Sequence, residues 1–191
     1  AMSHQKYFEA TNGGHQYATQ LVQQIKDLNK GKYLHDVIEA NHNADFCIGV
    51  AGYPEKHLES PSLKSDLKRL KEKVDAGADY VVTQMFFDNQ KYFDFVKSAR
   101  EIGINVPIIP GIKPLAVQRH LQLLPQVFKI DLPEPLITEV EKCKSNTEVR
   151  QVGVEWAIQQ SKELLEAGVP LLHYYSMGKS TNIKAIAEAV F

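Results

Sequence analysis

The sequence predicts an α/β fold built around a parallel β-sheet. Short apolar segments alternate along the 191-residue chain with longer segments of helical periodicity. The apolar segments are bounded by turn residues and contain few polar side chains, which is typical of strands in a parallel sheet covered on both faces. The helical segments are long enough to form the crossovers between such strands. We therefore expect parallel strands, adjacent in chain order, with helices on the outside.

Four segments have the length and composition of buried strands. Two of them, ADFCIGVAGY and DYVVTQMFFD, are apolar along most of their length. The predicted strands cover residues 44–53, 79–88, 106–112 and 170–177. The predicted helices cover residues 17–31, 60–77, 90–103, 115–127, 133–144, 147–168 and 181–191.

The helix predicted at residues 60–77 has the clearest start and stop signals. Ser60 or Ser62 can cap its N-terminus, and Pro61 suits a first turn. Gly77 fits the C-terminal cap. An apolar stripe with helical spacing runs along one face and consists of Leu63, Leu67, Leu70 and Val74.

Two architectures are compatible with this order of elements. A doubly wound sheet suits the length of the chain, which is interpreted as a single domain over residues 1–191. The Ala-Met at residues 1–2 is interpreted as a cloning scar. A (βα)₈ barrel typically takes about 250 residues and eight strands, whereas four strands are predicted here. The pattern alone does not decide between an open sheet and part of a barrel.

Composition excludes several classes of function. The formal net charge of −1 gives no indication of nucleic-acid binding or of an anionic membrane surface. No apolar run reaches the roughly 18 residues of a membrane helix. The seven histidines show no ligand spacing, so no metal site is predicted. Cys47 and Cys143 have neither metal nor redox spacing, and we interpret them as reduced thiols of a cytoplasmic protein.

Polar side chains near the carboxyl ends of two strands are candidates for a site, because parallel α/β folds bind ligands there. Gln84 can donate and accept hydrogen bonds at once, which suits a flat heterocycle. The alternative is a structural glutamine bonded to loop backbone. In the segment VAGYPEKH, Tyr53 offers a ring and His57 a donor to an anion, while Glu55 is a second ionisable group without an assigned partner. The alternative there is a plain turn with a solvated histidine.

Two further groups are weaker candidates. Asp66 and Lys73 lie seven residues apart, nearly on one helix face, and together they suit a hydroxylated, phosphorylated ligand. Two ordinary boundary charges are the simpler explanation. The segment HYYSMGK places His173, Tyr175 and Lys179 at the end of the last strand, where aromatic packing and a surface lysine are the alternative.

These segments occur together, in this order, in one known family. VAGYPEKH, SDLKRLKEKVDAGADYVVTQMFFD, IIPGIKP and GVPLLHYYSMGK closely resemble 5,10-methylenetetrahydrofolate reductases of the bacterial type. The resemblance runs from about Tyr17 to the C-terminus. It implies a (βα)₈ TIM barrel with non-covalent FAD, which takes hydride from NAD(P)H and delivers it to methylenetetrahydrofolate in one-carbon and methionine metabolism.

The resemblance also implies roles for individual residues. The positions that match FAD contacts of the family are Tyr17, Ala18, Tyr53, His57, Asp66 and Lys73. Gln84 matches the position that binds the pterin end of the folate. His120 and Lys179 replace a glutamine and an arginine that the family often has near the substrate, and Arg69 and Glu72 also replace other residue types.

Two family features have no match in this sequence. These are the catalytic glutamate at the end of the first strand and the Arg-Gly-Asp segment at the end of the fourth. The resemblance therefore implies the C-terminal half of the barrel, strands five to eight, and we expect no turnover from the chain alone. Because a half-barrel exposes strand edges and an apolar face, we also expect a homo-oligomer. A non-catalytic half-barrel binding or assembly module is the alternative function.

Overall fold

The computed structural model describes residues 10–34, 43–178 and 180–191. Four strands and seven helices are present in this part of the chain. The strands are β1 Gly49–Gly52, β2 Tyr80–Met85, β3 Ile108–Ile112 and β4 His173–Tyr174. The helices are α1 Ala18–Asn29, α2 Leu63–Asp75, α3 Asn89–Glu101, α4 His120–Phe128, α5 Glu134–Lys142, α6 Asn146–Glu166 and α7 Thr181–Val190.

The four strands form one sheet in the order β1-β2-β3-β4, and all three neighbouring pairs are parallel. Gly49 pairs with Tyr80 at the start of the sheet, and Gly111 pairs with His173 at its end. The predicted α/β class, strand order and parallel direction are therefore confirmed. Strands that follow one another in this way, each joined to the next by helical crossovers, form part of a barrel.

The main core lies between the sheet and the helices that cover one of its faces. Val50 and Val81 point from β1 and β2 into this core, where they meet Leu67 and Leu70 of α2 and Phe95 of α3. These five side chains are at most 8% exposed. Burial of aliphatic and aromatic surface of this kind supplies most of the free energy that holds helix and sheet together.

A second core cluster attaches the helices that follow β3. Leu115, Leu124 and Leu136 pack with residues from the end of β2 and from α6. Gly153 of α6 allows the backbone of this region to come close, because a Cβ at that position would lie 2.1 Å from the carbonyl oxygen of Leu115. Leu115 is buried although it lies in a loop segment. The prediction that this helix begins at residue 115 is wrong, because α4 begins at His120.

The signals predicted for α2 are present with one correction. Ser62 is the N-cap, and its Oγ accepts a hydrogen bond from the Ser65 N–H at 3.1 Å. Pro61 precedes the cap, so the prediction that it lies in the first turn is wrong. Gly77 follows the C-cap with φ +117°, a conformation that favours glycine.

The opposite face of the sheet is open. Gly49 and Ala51 of β1 are exposed, and Tyr80, Val82 and Gln84 of β2 are partly exposed. Among the apolar residues of β1, β2 and their flanks, Val82 lies on the open face, whereas Ile48, Val50 and Phe86 are buried. Among the described residues, no strand pairs with the outer edge of β1 or of β4.

No helix in the described ranges is long and apolar enough to cross a membrane. The same ranges contain no group of three or more histidine, cysteine and acidic side chains arranged to hold a metal ion.

Candidate functional site

A groove of about 650 Å³ lies between α1, β1, the turn after β1 and α2. We call it the α1–α2 groove. Six of its lining residues are the ones that the sequence analysis assigned to the cofactor: Tyr17, Ala18, Tyr53, His57, Asp66 and Lys73. They come from three separate segments, the start of α1, the turn after β1 and α2, so the fold is what brings them together. The volume lies within the range of about 300–1,000 Å³ that is typical of small-molecule sites.

Tyr53 and His57 form one wall of the α1–α2 groove. Their ring centroids are 4.6 Å apart, and the rings meet edge to face at 75°. Burial, followed by the negative charge of Asp66, raises the pKa of the Tyr53 hydroxyl, which therefore stays protonated near neutral pH. Tyr53 thus offers an aromatic surface and a neutral donor.

The turn that carries this wall is held by Lys56. Its backbone has φ +87°, which is uncommon for a residue other than glycine. Its N–H donates to the carbonyl of Tyr53 at 3.2 Å, and its Nζ donates to the carbonyl of Ser60 at 2.6 Å. These bonds stabilise a backbone conformation that would otherwise be unfavourable.

Asp66 fixes the same turn from the side of α2. Its Oδ2 accepts the His57 N–H at 3.0 Å, and its Oδ1 accepts the Ser60 hydroxyl at 2.9 Å. Each carboxylate oxygen has a further lone pair, so these bonds still leave acceptor capacity toward the groove. In this structure Asp66 thus orients the segment that carries His57.

Lys73 lies seven residues after Asp66 on α2, about two turns further along nearly the same helix face. Its Nζ donates to the carbonyl of Ala51 at 2.5 Å, which leaves two of its three donors for other partners. Burial lowers the pKa of the Lys73 ammonium, while the charge of Asp66 acts in the opposite direction. Arg69 and Glu72 line the groove as well, so cationic donors and carboxylate acceptors are both present.

Gln84 lies near the carboxyl end of β2, on the open face of the sheet. Its Oε1 accepts the N–H of Met85 at 3.0 Å, which is a bond to the backbone of its own strand rather than to the loop backbone considered as the alternative. In the described part of the chain, its Nε2 makes no hydrogen bond and remains a donor toward the open face. Gln84 is not among the residues that line the α1–α2 groove.

His120, the second predicted substrate residue, does not line this groove. His120 begins α4, and its Nδ1 accepts the Ala116 N–H at 3.2 Å, which places the proton of the neutral ring on Nε2. Burial, followed by the charge of Lys113, lowers the pKa of His120. Lys179 lies outside the described residues, so the structure does not place it.

Glu55 is an ionisable residue of the turn to which the sequence analysis gave no role. Its Oε2 accepts the N–H of Asp131 at 2.9 Å. Its Oε1 is buried without a hydrogen-bond partner among the described residues. Burial raises the pKa of Glu55 to about 7, although the bond from Asp131 opposes this shift. Only the unusual combination of ionisable groups in one short turn pointed to this residue from the sequence.

The fold and this groove define a parallel α/β protein of the partial-barrel class, with a polar and aromatic groove beside the carboxyl end of its first strand. The sequence matches the model of the family "Methylenetetrahydrofolate reductase" over residues 1–190. The chain therefore belongs to the methylenetetrahydrofolate reductase family.

Individual relatives agree with this assignment. The chain is 37% identical to a probable methylenetetrahydrofolate reductase (NADPH) of Caenorhabditis elegans over 76% of its own length and 22% of that protein. It is 34% identical to methylenetetrahydrofolate reductase 1 of Schizosaccharomyces pombe, over 92% of its length and 27% of that protein. It is 35% identical to 5,10-methylenetetrahydrofolate reductase of Pectobacterium carotovorum, over 76% of its length and 49% of that protein.

One solved structure has the same fold over most of the chain. It is an uncharacterized protein from Clostridium thermocellum that binds two copies of 5-methyl-5,6,7,8-tetrahydrofolic acid. The TM-score is 0.50 at 21% identity, over 76% of this chain and 52% of that one. The chain thus spans about half the length of this structure and of the Pectobacterium relative, and about a quarter of the nematode and yeast proteins.

Proposed function

We propose that this chain supplies part of the catalytic barrel of a flavin-dependent methylenetetrahydrofolate reductase, and that the α1–α2 groove holds FAD. The observation that carries this proposal is the convergence of all six expected cofactor residues on one groove. In the sequence these residues are spread over positions 17–73, so their meeting in one groove is independent of the resemblance that implied their role.

The chemistry of the α1–α2 groove fits this cofactor. Tyr17, with 65% of its surface exposed, and Tyr53 offer aromatic faces to a planar ring system. Lys73, Arg69 and the His57 ring can donate to phosphate oxygens, whereas carboxylates of the same wall can accept from ribose hydroxyls. When bound, FAD supplies the hydride carrier between NAD(P)H and methylenetetrahydrofolate. The task of the protein residues is to bind and orient it.

Gln84 is proposed to bind the pterin end of the folate. Its Oε1 already accepts a hydrogen bond from the Met85 N–H, and this bond orients the Nε2 donor of the same amide. An amide held in this way can present its remaining donor to a ring acceptor with little further loss of conformational freedom. His120 and Lys179 stay proposed substrate contacts.

Complete turnover is proposed to need parts of the family's barrel that are not matched by this sequence. The expected acid and the Arg-Gly-Asp segment belong to strands one to four of the family, and this chain is proposed to correspond to strands five to eight. General acid catalysis typically contributes about 10²–10⁴-fold. We therefore expect the 191-residue chain to show no folate-dependent NADH oxidation with excess FAD, and rates of roughly 1 s⁻¹ or more would contradict this assignment.

The cofactor proposal is tested by equilibrium dialysis against FAD, followed by flavin absorbance. Lys73→Ala is expected to weaken binding about tenfold, because a charge-assisted bond to phosphate is lost. The matched control is Lys68→Ala, which removes an exposed lysine of the same helix that does not line the groove. Equal binding by both variants and the unaltered chain would contradict the proposed site.

A second function is favoured by the unpaired outer edges of β1 and β4 in the described structure. A half-barrel of this kind can act as an assembly module that pairs with a second copy through these edges. Light scattering and the visible spectrum separate the two functions. A colourless dimer that does not bind FAD supports the assembly module, and a chain that binds FAD supports the reductase.

A further inference from the structure

The strand that carries Gln84 contains a β-bulge. β2 and β3 are in register at Val82 and Ile109, and again at Met85 and Gly111. Three steps along β2 therefore correspond to two steps along β3, and the additional residue lies in the pair Thr83–Gln84. Bulges of this kind bend a strand and change the direction of a side chain, and they are common next to active sites.

Two side chains hold the bulge from the β3 and β4 sides. The hydroxyl oxygen of Thr83, which is fully buried, accepts the N–H of Gly111 at 2.9 Å. The hydroxyl of Tyr175, just after β4, donates to the carbonyl oxygen of Thr83 at 2.9 Å. The residue immediately before Gln84 is thus bonded through both its side chain and its backbone.

Close packing leaves this arrangement little freedom. A Cβ on Gly111 would lie 2.3 Å from the Thr83 carbonyl oxygen and 2.6 Å from the Tyr175 ring. The Tyr175 ring also meets the His173 ring edge to face, with centroids 4.7 Å apart. The absence of a side chain at position 111 is therefore what allows Tyr175 to reach β2.

We propose that Thr83 and Tyr175 are positioning residues that hold the β2 bulge and thereby fix the direction of the Gln84 amide toward the folate. This inference rests on the proposed role of Gln84 in folate binding. It adds that Tyr175 acts through its hydroxyl on the Thr83 carbonyl, so that the last strand of the sheet controls the geometry of a residue two strands away.

The test uses 5-methyltetrahydrofolate and the 191-residue chain, with binding followed by NMR through the Gln84 side-chain amide signals. Tyr175→Phe keeps the ring and removes only the hydroxyl. It is expected to shift these signals in the free protein and to weaken folate binding about tenfold, while FAD binding stays unchanged. Thr83→Val is expected to act in the same direction, and Thr83→Ser, which keeps the hydroxyl, to restore binding to within about threefold.

The matched control is Tyr174→Phe. The Tyr174 hydroxyl shares a hydrogen bond of 2.8 Å with Ser161 on the helix side of the sheet. Its removal costs a comparable hydrogen bond, so it is expected to lower thermal stability without moving the Gln84 signals or changing folate binding. This control separates a general loss of stability from a loss of Gln84 geometry.

The possible outcomes separate the positioning role of Thr83 and Tyr175 from the proposed role of Gln84. If the unaltered chain binds the folate and Tyr175→Phe binds it equally well with unshifted Gln84 signals, the positioning role is refuted while the proposed function stands. If the unaltered chain does not bind the folate, the proposed role of Gln84 is refuted, and the inference with it; the FAD titration of the same sample then shows whether the cofactor proposal survives. Should Thr83→Val fail to fold, the comparison of Tyr175→Phe with Tyr174→Phe still decides.

Discussion

Glu55→Gln is expected to change how the free energy of unfolding depends on pH. In the folded chain, burial raises the pKa of Glu55 from about 4.5 to about 7. The folded state therefore binds a proton more tightly than the unfolded state does between these two pH values. The contribution of Glu55 to stability is then present below about pH 4.5 and is lost as the pH rises to about 7.

The size of this effect follows from the shift. One pKa unit corresponds to about 1.4 kcal/mol, but solvent screens the charge of this partly exposed side chain, so the ionised Glu55 destabilises the fold by about 1–2 kcal/mol above pH 7. Two charged groups face it, the Asp131 carboxylate and the Lys91 ammonium, and they act in opposite directions on its pKa. Glutamine at position 55 keeps an oxygen for the Asp131 N–H but does not ionise.

Urea unfolding followed by circular dichroism at pH 5, 6, 7 and 8 measures this difference. The stability of Glu55→Gln minus that of the unaltered chain is expected to increase with pH by about 1–2 kcal/mol across this range. The control, Glu101→Gln, makes the same change at an exposed glutamate at the end of α3, and the pH dependence for Glu55→Gln is measured relative to it. If the difference for Glu55→Gln is constant within about 0.5 kcal/mol, the assigned burial of this carboxyl group is wrong.

Three other substitutions test separate parts of the account. Ser62→Ala is expected to cost about 1 kcal/mol in urea unfolding through loss of the α2 cap, and an unchanged midpoint would contradict that cap. Gly153→Ala is expected to cost about 2 kcal/mol or more, because the new methyl group meets the Leu115 backbone; stability equal to the unaltered chain would refute the close contact. In a protein completed with the family's N-terminal strands, Gln84→Ala should weaken folate binding more than it slows flavin reduction by NADH, and equal effects on both would count against the pterin role.

The sequence predicted the order and type of the elements because they depend on local patterns. The α2 cap at Ser62 and the turn after β1 are examples. Four of the six groove residues could be assigned because they lie in short motifs of a known family, whereas Tyr17 and Ala18 were assigned by position alone. Boundaries were less predictable: the last strand contains two residues, although the apolar run from 170 to 177 suggested a longer one.

Contacts between distant segments could not be predicted in the same way. Glu55 and Asp131 are 76 positions apart, and nothing near either residue indicates that one accepts a hydrogen bond from the other. The contact between Tyr175 and the Thr83 carbonyl spans 92 positions and depends on the small size of Gly111. The register change that creates the bulge likewise depends on two strands at once, so no single segment contains its signal.

The central claim is that the α1–α2 groove binds FAD, and NMR mapping tests it most directly. FAD is added to the isotope-labelled 191-residue chain, and amide chemical shifts are followed up to millimolar concentration, so that weak binding is also detected. If FAD binds there, the largest changes are expected in the groove, at Tyr53, His57 and the N-terminal half of α1. Changes confined to another surface, or no changes at millimolar FAD, would contradict it.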